Sequence, residues 1–471
     1  MTHHSTIRYR ARVNTLAALA RDLDAGATTS RRLVEECLTR IGDPCGEGAR
    51  VFLKVHAEAA RAAADYYDRL RAQGAALSPW SGIPVSVKDL FDMAGDVTTA
   101  GSRVLLGQPP ARRDCAAVAR LRAAGFIPIG RTNMTEFAYS GLGLNPHYGT
   151  PLNPFDRPGR RAPGGSSAGA AVSITDEMAY GALGTDTGGS CRIPAAFCGI
   201  VGFKPTARRV PLSGVFPLAE SLDSVGPLAA SVECCATLDA VLADEPTAVL
   251  HAAGLRARRF AVPTRYVLDS LDAHVARSFE RAIQQLRIAG AAVDEIPLSE
   301  LEELPAINRK GGLPAAQAYA VHRERLESDG ARYDPRVSRR ILGGREQSAA
   351  DYLELIRART DLQRRLEESL GGFDAAVLPT TPIIAPRLED LESDESYLRT
   401  NQLVLRNTAV ANFLDRCAVS IPCHEPGAAP VGLMLMGARG ADRRLLALAA
   451  AVEARVSPVR CSGAVAREPS C

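Results

Sequence analysis

Lysine is rare in this sequence, and one lysine follows a short apolar run. The chain has 56 basic residues, of which only four are lysine: Lys54, Lys88, Lys204 and Lys310. Lys88 ends the run GIPVSVK and is followed by Asp89. A poorly solvated lysine amine has a lowered pKa and can act as a neutral base, whereas arginine keeps its proton. A salt bridge with Asp89 or another carboxylate is the alternative for Lys88, and the residues alone do not decide between the two.

A second segment of small residues carries two adjacent hydroxyl groups. Residues 163–169 read PGGSSAG, with Ser166 and Ser167 at the centre. Small residues let backbone amides come close to a ligand or to another part of the chain. The run also contains the pattern G-x-S-x-G around Ser167, which is typical of the nucleophile elbow of Ser-His-Asp hydrolases. An ordinary glycine-rich loop is the third interpretation.

A third segment places a serine directly after two glycines. Residues 184–194 read GTDTGGSCRIP, and Ser190 follows the Gly-Gly pair. Successive backbone amides in such a turn can point at one spot and hold an oxyanion while Ser190 attacks the carbonyl carbon. The Ile-Pro pair after it predicts the start of a short helix. A phosphate-binding loop is the competing interpretation, but Lys-Ser/Thr does not follow and the Walker spacing is absent.

Alternating apolar runs and helical patterns surround these segments. A helix over 115–124 lies between strands predicted at 83–87 and 126–129, and an apolar run over 178–183 leads into the third segment. Other helices are predicted at 16–23, 33–41, 54–73, 272–289, 348–369 and 441–454, and other strands at 200–203, 260–262, 293–296, 375–378, 418–421 and 431–436. This strand–helix–strand order predicts an α/β sheet with some parallel pairing.

The composition is that of an ordinary folded protein. The chain has 471 residues, of which 46% are hydrophobic and 23% charged. Its net charge of +3 does not indicate a protein that binds nucleic acid. No stretch reaches the roughly 18 apolar residues that span a bilayer, and the first residues lack the apolar run of a secretory signal. Eleven cysteines without a C-x-x-C pair favour a reduced, cytoplasmic protein.

Together these segments resemble the amidase signature family, serine hydrolases that use a Ser–cis-Ser–Lys triad. The stretches that carry the resemblance are 82–89, 131–138, 153–154, 164–167, 184–194 and 197–206, with weaker matches at 378–382 and 430–433. Several ordered motifs at family spacing are far more specific than one alone. Ala168 and Ala170 depart from the pattern, since the family usually has Gly and Ser at these positions.

The resemblance implies a single large α/β domain over 1–471. It would have a mixed, twisted β-sheet core covered by helices on both sides. Within it we expect an N-terminal helical segment at about 12–75, a signature core at about 80–210 and a frayed tail at about 457–471.

The resemblance also assigns the catalytic groups. It makes Lys88 the base, Ser166 the bridging serine and Ser190 the nucleophile, with a cis peptide bond between Gly165 and Ser166. The oxyanion would be held by backbone N–H groups of Thr187, Gly188, Gly189 and Ser190. Ser167 and Asp186 would have supporting roles, and Lys204 a structural one.

A loop and one arginine are the candidates for substrate binding. The resemblance places Tyr139, Gly141 and Leu142 near the substrate pocket. Arg192 lies two residues after Ser190 and either meets a substrate carboxylate or pairs with a structural acid.

The resemblance implies hydrolysis of amide C–N bonds through an acyl-enzyme, with no metal or cofactor. The substrates would be small linear amides, aryl amides, ureas or carbamates. One alternative is the A subunit of a glutamyl- or aspartyl-tRNA amidotransferase, which needs partner subunits. The other is a Ser-His-Asp esterase that uses Ser167 with His322 or His424. We expect no membrane partner, and a nucleic acid partner only under the amidotransferase alternative. A homodimer is one possible oligomeric state.

Overall fold

A single mixed sheet of eleven strands runs through the described part of the molecule. The structure is a computed structural model that describes residues 14–247 and 249–458. In chain order the strands are β1 Phe52–Val55, β2 Pro84–Lys88, β3 Ile127–Thr132, β4 Gly181–Asp186, β5 Val201–Lys204, β6 Ser224–Ala229, β7 Arg259–Pro263, β8 Ala292–Ile296, β9 Ala375–Pro379, β10 Ala418–Pro422 and β11 Gly432–Met436. Across the sheet their order is β1-β3-β2-β4-β6-β5-β10-β11-β9-β7-β8.

Three neighbouring parallel strands set the position of the candidate site. β2 pairs in parallel with both β3 and β4. The carboxyl ends of parallel strands lie at the same edge of a sheet, where ligands commonly bind. Lys88, Thr132 and Asp186 are the last residues of these strands. The loops that follow them therefore meet at one edge.

Apolar side chains cover both faces of the sheet. In β9, Ala375 and Val377 belong to one apolar cluster, whereas Ala376 and Leu378 belong to another. Successive side chains of a strand point to opposite faces, so the two clusters lie on opposite sides. The α-helices of the described residues are α1 Leu16–Asp24, α2 Ser30–Ile41, α3 Gly48–Val51, α4 Ala57–Ala72, α5 Ala116–Ala123, α6 Ala168–Thr175, α7 Arg192–Cys198, α8 Val232–Ala243, α9 Ala273–Ile288, α10 Leu304–Ile307, α11 Gly312–Asp329, α12 Pro335–Leu342, α13 Ala349–Leu370, α14 Asp394–Phe413 and α15 Asp442–Val456. The predicted α/β class with helices on both sides of a mixed sheet is confirmed.

One predicted helix begins later than expected. The helical pattern over 54–73 includes Lys54 and Val55, but the structure places both in β1, which pairs antiparallel with β3. The helix starts only at Ala57. Its alanines give helical propensity without marking where the helix begins, and pairing with β3 decides that point.

Two of the expected segments, the N-terminal helical segment and the C-terminal tail, include residues that the structure does not describe. Of the tail expected at about 457–471, residues 459–471 lie outside the described residues, as do residues 12 and 13 of the N-terminal segment. None of the helices formed by residues 14–247 and 249–458 combines the length and apolarity needed to cross a membrane.

Candidate active site

The amine of Lys88 is fully enclosed at the end of β2. Its side chain has no exposed surface, and Nζ donates hydrogen bonds to Ser166 Oγ at 2.7 Å and Thr185 Oγ1 at 2.8 Å. Asp89 does not take part, because its carboxylate pairs with Arg131 at 2.6 Å. Lys88 forms no ion pair with any described carboxylate, so the salt-bridge alternative is wrong. Burial lowers the pKa of the Lys88 amine to about 8.

Close backbone contacts hold the loop that carries Ser166. The peptide bond between Gly165 and Ser166 is cis, as the resemblance implies. The Gly165 N–H donates to the Gly141 carbonyl at 2.8 Å, and the Ser166 carbonyl accepts from the Thr135 N–H at 3.1 Å. A Cβ on Gly165 would lie 2.5 Å from the backbone nitrogen of Gly143, so a larger residue does not fit. The Ser166 hydroxyl is therefore held toward the lysine amine.

The loop between β4 and α7 presents a row of backbone N–H groups. Gly189 has a φ of +138°, and a Cβ there would lie 2.2 Å from Thr408 Oγ1. The Thr408 hydroxyl also donates to the Gly188 carbonyl at 2.6 Å, which fixes the turn. The N–H groups of residues 187–190 donate to no acceptor among the described residues. They are available to an oxyanion at this position.

Ser190 joins this loop to the cis-serine loop. Its carbonyl accepts the Ser167 N–H at 3.3 Å, and the residue is 3% exposed. Its hydroxyl makes no hydrogen bond within residues 14–247 and 249–458, and the Ser167 hydroxyl donates to the Thr185 carbonyl at 3.4 Å. The structure thus joins Lys88 to Ser166 directly and places Ser190 on the adjoining loop with its hydroxyl unengaged.

Arg192 is a structural residue. It has no exposed surface, and its Nε and Nη2 donate to the Asp186 carboxylate at 3.0 and 2.8 Å. Its other donors reach the Thr408 carbonyl at 2.9 Å, Met434 Sδ at 3.1 Å and Asn412 Oδ1 at 2.7 Å. These contacts use all five guanidinium N–H groups. The prediction that Arg192 binds a substrate carboxylate is therefore wrong, and its pairing with a structural acid is confirmed.

Asp186 braces the start of α7. Its carboxylate accepts the Cys191 N–H at 3.0 Å as well as the Arg192 guanidinium. Burial opposes its ionisation, but the adjacent Arg192 guanidinium lowers the pKa of Asp186 to about 2. The ionised Asp186 carboxylate therefore holds Cys191, the residue after Ser190. This contact fits the supporting role predicted for Asp186.

Two further polar residues belong to the site and were not predicted. Thr185 accepts the second hydrogen bond of Lys88, and Asp223 accepts the hydroxyl of Thr187. Asp223 also accepts the N–H groups of Leu218 and Ala219 at 3.0 and 3.1 Å. Asp223 therefore fixes the first residue of the 187–190 loop. It directly precedes β6, a strand that was not predicted because it contains Gly and Pro.

The predicted substrate loop divides into supporting residues and one candidate contact. The Gly141 N–H donates to Asn401 Oδ1 at 2.8 Å, and a Cβ on Gly141 would lie 3.1 Å from Ile193 Cδ1. Leu142 has no exposed surface and lies in an apolar cluster with Ile193. Leu142 is thus a packing residue rather than a substrate contact. The Arg340 guanidinium lies over the Tyr139 ring, 4.2 Å from the ring centroid. Tyr139 remains a candidate substrate contact.

The histidines do not form the alternative esterase site. His322 is fully buried, its Nδ1 lies 3.0 Å from the Tyr333 hydroxyl, and its ring contacts Phe137 at 4.3 Å. The Ser167 hydroxyl contacts a backbone carbonyl, and no described histidine is hydrogen-bonded to it. The geometry therefore does not support a Ser-His-Asp site at Ser167. In the described ranges no group of three or more His, Cys, Asp or Glu side chains is arranged to hold a metal ion.

The sequence as a whole matches a known family and two kinds of curated relative. The sequence model named Amidase matches residues 32–446. A 2-amino-5-chloromuconic acid deaminase from Comamonas testosteroni is 40% identical over 404 residues, which cover 84% of this chain and 86% of that protein. The A subunit of a glutamyl-tRNA(Gln) amidotransferase from Anaeromyxobacter sp. (strain K) is 35% identical over 475 residues, covering 92% of this chain and 94% of that protein.

The fold matches solved structures over nearly the same range. A crystal structure of an amidase superposes with a TM-score of 0.85 at 33% sequence identity, covering 94% of this chain and all of that one. The native peptide amidase from Stenotrophomonas maltophilia gives a TM-score of 0.75 at 28% identity, with 95% of this chain and 98% of that chain covered.

Proposed function

This chain belongs to the amidase signature family, and from that premise we propose that it hydrolyses the C–N bond of small linear amides. The proposed reaction passes through an acyl-enzyme on Ser190. The observation that carries the proposal is the buried amine of Lys88, which lies 2.7 Å from the Ser166 hydroxyl and forms no ion pair with a described carboxylate. Aryl amides, ureas and carbamates have the same type of bond and belong to the same substrate class.

Acylation begins with the neutral form of Lys88. Its lone pair accepts the Ser166 proton while the Ser166 oxygen accepts the proton of Ser190. A serine hydroxyl needs such a base, because its own pKa is too high for it to attack an amide. A lysine pKa of about 8 leaves part of the enzyme neutral at pH 7 and most of it neutral at pH 9. The Ser190 oxygen then forms a C–O bond to the substrate carbonyl carbon.

The carbonyl oxygen becomes an oxyanion in this step. The N–H groups of residues 187–190 have no acceptor among the described residues, so they are available to hold it. Each such donor typically lowers the barrier by about 3 kcal/mol. Thr408 and Asp223 keep the loop in this conformation before substrate binds, so no reorganisation is needed when the charge develops.

Breakdown of the tetrahedral intermediate releases the amine. The C–N bond breaks, and the leaving nitrogen takes the proton that Lys88 received, passed back through Ser166. Water then attacks the acyl-enzyme, gives up its proton along the same route and releases the carboxylic acid and the free Ser190 hydroxyl. The products are one carboxylic acid and one amine or ammonia.

Trapping the acyl-enzyme tests this proposal. The purified chain is mixed with a panel of primary amides, anilides and carbamates, and intact mass is recorded after rapid quenching. The deaminase relative is named for an amino-substituted acid, so acidic amides are included. We expect a mass increase equal to the acyl group in the wild type, none in Ser190→Ala, and almost none in Lys88→Arg, because arginine cannot act as a neutral base. Acylation of Lys88→Arg at the wild-type rate would contradict the mechanism.

A role within an amidotransferase complex remains a second candidate. The relative from Anaeromyxobacter sp. (strain K) aligns along 92% of this chain and bears the name of one component of such a complex. Ammonia release from glutamine that appears only when partner proteins are added would favour this candidate. Turnover of simple amides by the purified chain favours a free-standing amidase. The cytoplasmic location and the homodimer option remain predictions.

A further inference from the structure

The residue that follows Lys88 is an acid, and the fold turns this acid away from the amine. In the parallel register between β2 and β3, Arg131 lies opposite Val87, the residue before Lys88. Paired residues of neighbouring strands share a face of the sheet, and successive residues alternate between faces. Arg131 is therefore on the face opposite to the Lys88 side chain. The Asp89 carboxylate faces this arginine, because its Oδ1 accepts the Arg131 Nε–H at 2.6 Å.

The ion pair between Arg131 and Asp89 is enclosed by protein. Each of the two residues is 1% exposed. Arg131 Nη1 also donates to the Phe91 carbonyl at 3.0 Å, and Asp89 Oδ2 accepts the Gly101 N–H at 3.0 Å. The Thr99 hydroxyl donates to the same oxygen. Two opposite charges buried in contact balance each other, and removal of either one leaves the other uncompensated in a medium of low dielectric constant.

Asp89 also fixes the backbone at the end of β2. Its N–H donates to the Thr132 carbonyl at 3.2 Å, and its carbonyl accepts the Ala100 N–H at 2.8 Å. Loss of the ion pair can therefore act on Lys88 in two ways, through the backbone or through charge. A disturbed backbone lowers activity at every pH, whereas an unbalanced charge changes the pH at which the amine titrates.

The other ionisable groups beside this pair are balanced or uncharged. Asp96 Oδ2 lies 3.9 Å from the Arg131 guanidinium, and Asp96 forms an ion pair with Lys54 and contacts His56 Nε2 at 2.8 Å. Burial lowers the pKa of His56, so Lys54 supplies the positive charge. Burial also raises the pKa of the nearby Tyr148 phenol, which therefore stays uncharged. Arg131 thus has Asp89 as its closest charged partner.

The ionisable groups on the face of the amine are held in a similar way. Asp186 pairs with Arg192 at 2.8 Å, and Asp223 accepts one hydroxyl and two backbone N–H groups. Burial raises the pKa of the Cys191 thiol, so it carries no charge. The charges of Asp186 and Asp223 favour the ammonium form of Lys88, and burial outweighs them. One further unbalanced charge near the end of β2 would shift this equilibrium.

We propose that Arg131 is a positioning residue of the reaction: its guanidinium holds and neutralises the Asp89 carboxylate, so that this acid does not keep the amine of Lys88 in its charged form. The inference rests on the proposed function, because it takes Lys88 as the base. A charge roughly 10 Å from the amine, at an effective dielectric constant of about 20, changes the ratio of charged to neutral amine about tenfold. Loss of Arg131 and loss of Asp89 should change this ratio in opposite directions.

The test is the pH dependence of kcat/KM, measured on the best amide of the panel. In Arg131→Gln the uncompensated Asp89 charge favours the ammonium form of Lys88, so the midpoint of the profile should rise by about one pH unit and kcat/KM at pH 7 should fall about tenfold. In Asp89→Asn the uncompensated Arg131 charge disfavours the ammonium form, so the midpoint should fall by about one pH unit. The double variant Asp89→Asn/Arg131→Gln removes both charges and should return the midpoint to within about 0.3 pH unit of the wild type.

Two further variants separate charge from packing. Arg209→Gln is the matched control, because Arg209 pairs with the buried Asp239 at 3.0 Å and its loss should leave the midpoint unchanged. Arg131→Lys keeps the positive charge and should also keep the midpoint of the wild type. Circular dichroism shows which variants fold. If Arg131→Gln or Asp89→Asn is unfolded, Asp96→Asn takes its place: it removes the carboxylate 3.9 Å from the Arg131 guanidinium and should lower the midpoint by about half a pH unit.

Other outcomes overturn the inference and leave the proposed function intact. Midpoints that stay unchanged while activity falls equally at every pH would show that the ion pair only supports the fold around β2, and shifts in the same direction would exclude an effect of charge. If no amide is hydrolysed, the proposed function itself fails, and titration of Lys88 by carbon-13 NMR of labelled lysine in the same variants decides on the ion pair. Opposite shifts of the Lys88 titration in Arg131→Gln and Asp89→Asn would support it, and equal values would overturn it.

Discussion

Two lysines are buried at the ends of strands in this molecule, and only Lys88 donates short hydrogen bonds to hydroxyl groups. Lys88 and Lys204 are both 1% exposed or less, and burial lowers the pKa of each to about 8. Lys88 donates to the hydroxyls of Ser166 and Thr185 at 2.7 and 2.8 Å. The shortest contact of Lys204 is the Pro205 carbonyl at 2.7 Å.

The chemistry of the partner decides what a neutral amine can do. A carbonyl oxygen only accepts hydrogen bonds, whereas a hydroxyl accepts and donates. Lys204 therefore holds the turn after β5, with a weaker contact to Ser224 Oγ at 3.5 Å. Lys88 adjoins a hydroxyl that can give up its proton. A lowered pKa alone does not identify a base; the two short hydrogen bonds to hydroxyls, at 2.7 and 2.8 Å, distinguish Lys88 from Lys204.

Removing each amine is the strongest test of this difference. Lys88→Met should lower kcat by about a thousandfold or more, because the base is lost, while Lys204→Met should stay within about tenfold. Kinetics are measured on the best amide of the panel, with circular dichroism and thermal unfolding to confirm that both variants fold. A loss in Lys204→Met as large as that in Lys88→Met would mean that the two lysines do not differ in function.

The pH dependence of the wild type gives the next largest effect. Below its pKa of about 8 Lys88 is protonated and cannot accept a proton, so kcat/KM should rise as the pH increases. Between pH 6 and pH 8 the neutral fraction, and with it kcat/KM, should rise by about 50-fold. Lys204→Met should give the same profile as the wild type. A profile that is flat between pH 6 and pH 9 would exclude a lysine base with this pKa.

A smaller effect is expected from the second hydroxyl partner of Lys88. Thr185→Val removes an acceptor that favours the charged amine, so the pKa in the kcat/KM profile should fall below that of the wild type. The lysine is also less well oriented, and kcat/KM at high pH should fall by about tenfold. Ser224→Ala, beside Lys204, is the matched control and should change neither quantity. An unchanged profile in Thr185→Val would mean that this hydroxyl does not act on the lysine.

Local patterns predicted most of the fold, and they failed where pairing between distant segments decides the structure. The apolar runs that became β2, β3 and β9 were clear from their β-branched and aliphatic residues. β6 was missed because Gly226 and Pro227 interrupt its pattern, although it pairs with β4 and β5 in the middle of the sheet. α12 and α14 were missed as well.

The site was predictable where its residues are close in the sequence. Ser166 and Ser190 lie in small-residue loops with recognisable motifs, and Lys88 ends an apolar strand. Arg192 was ambiguous because its partners Thr408, Asn412 and Met434 lie more than 200 residues away. The contact between Arg340 and Tyr139 was not predicted for the same reason, since 201 residues separate them. Such contacts follow from the tertiary fold and leave no local signal.

The most direct test of the central claim is the titration of Lys88 itself. Because the sequence has only four lysines, protein labelled with carbon-13 at lysine Cε gives few resonances, and single Lys→Met variants assign them. We predict that the Lys88 resonance titrates near pH 8 and that its pKa changes in Ser166→Ala, whereas the Lys204 resonance also titrates near pH 8 but does not respond to Ser166→Ala. A Lys88 amine that stays protonated above pH 10, or one that does not respond to the loss of the Ser166 hydroxyl, would contradict the account.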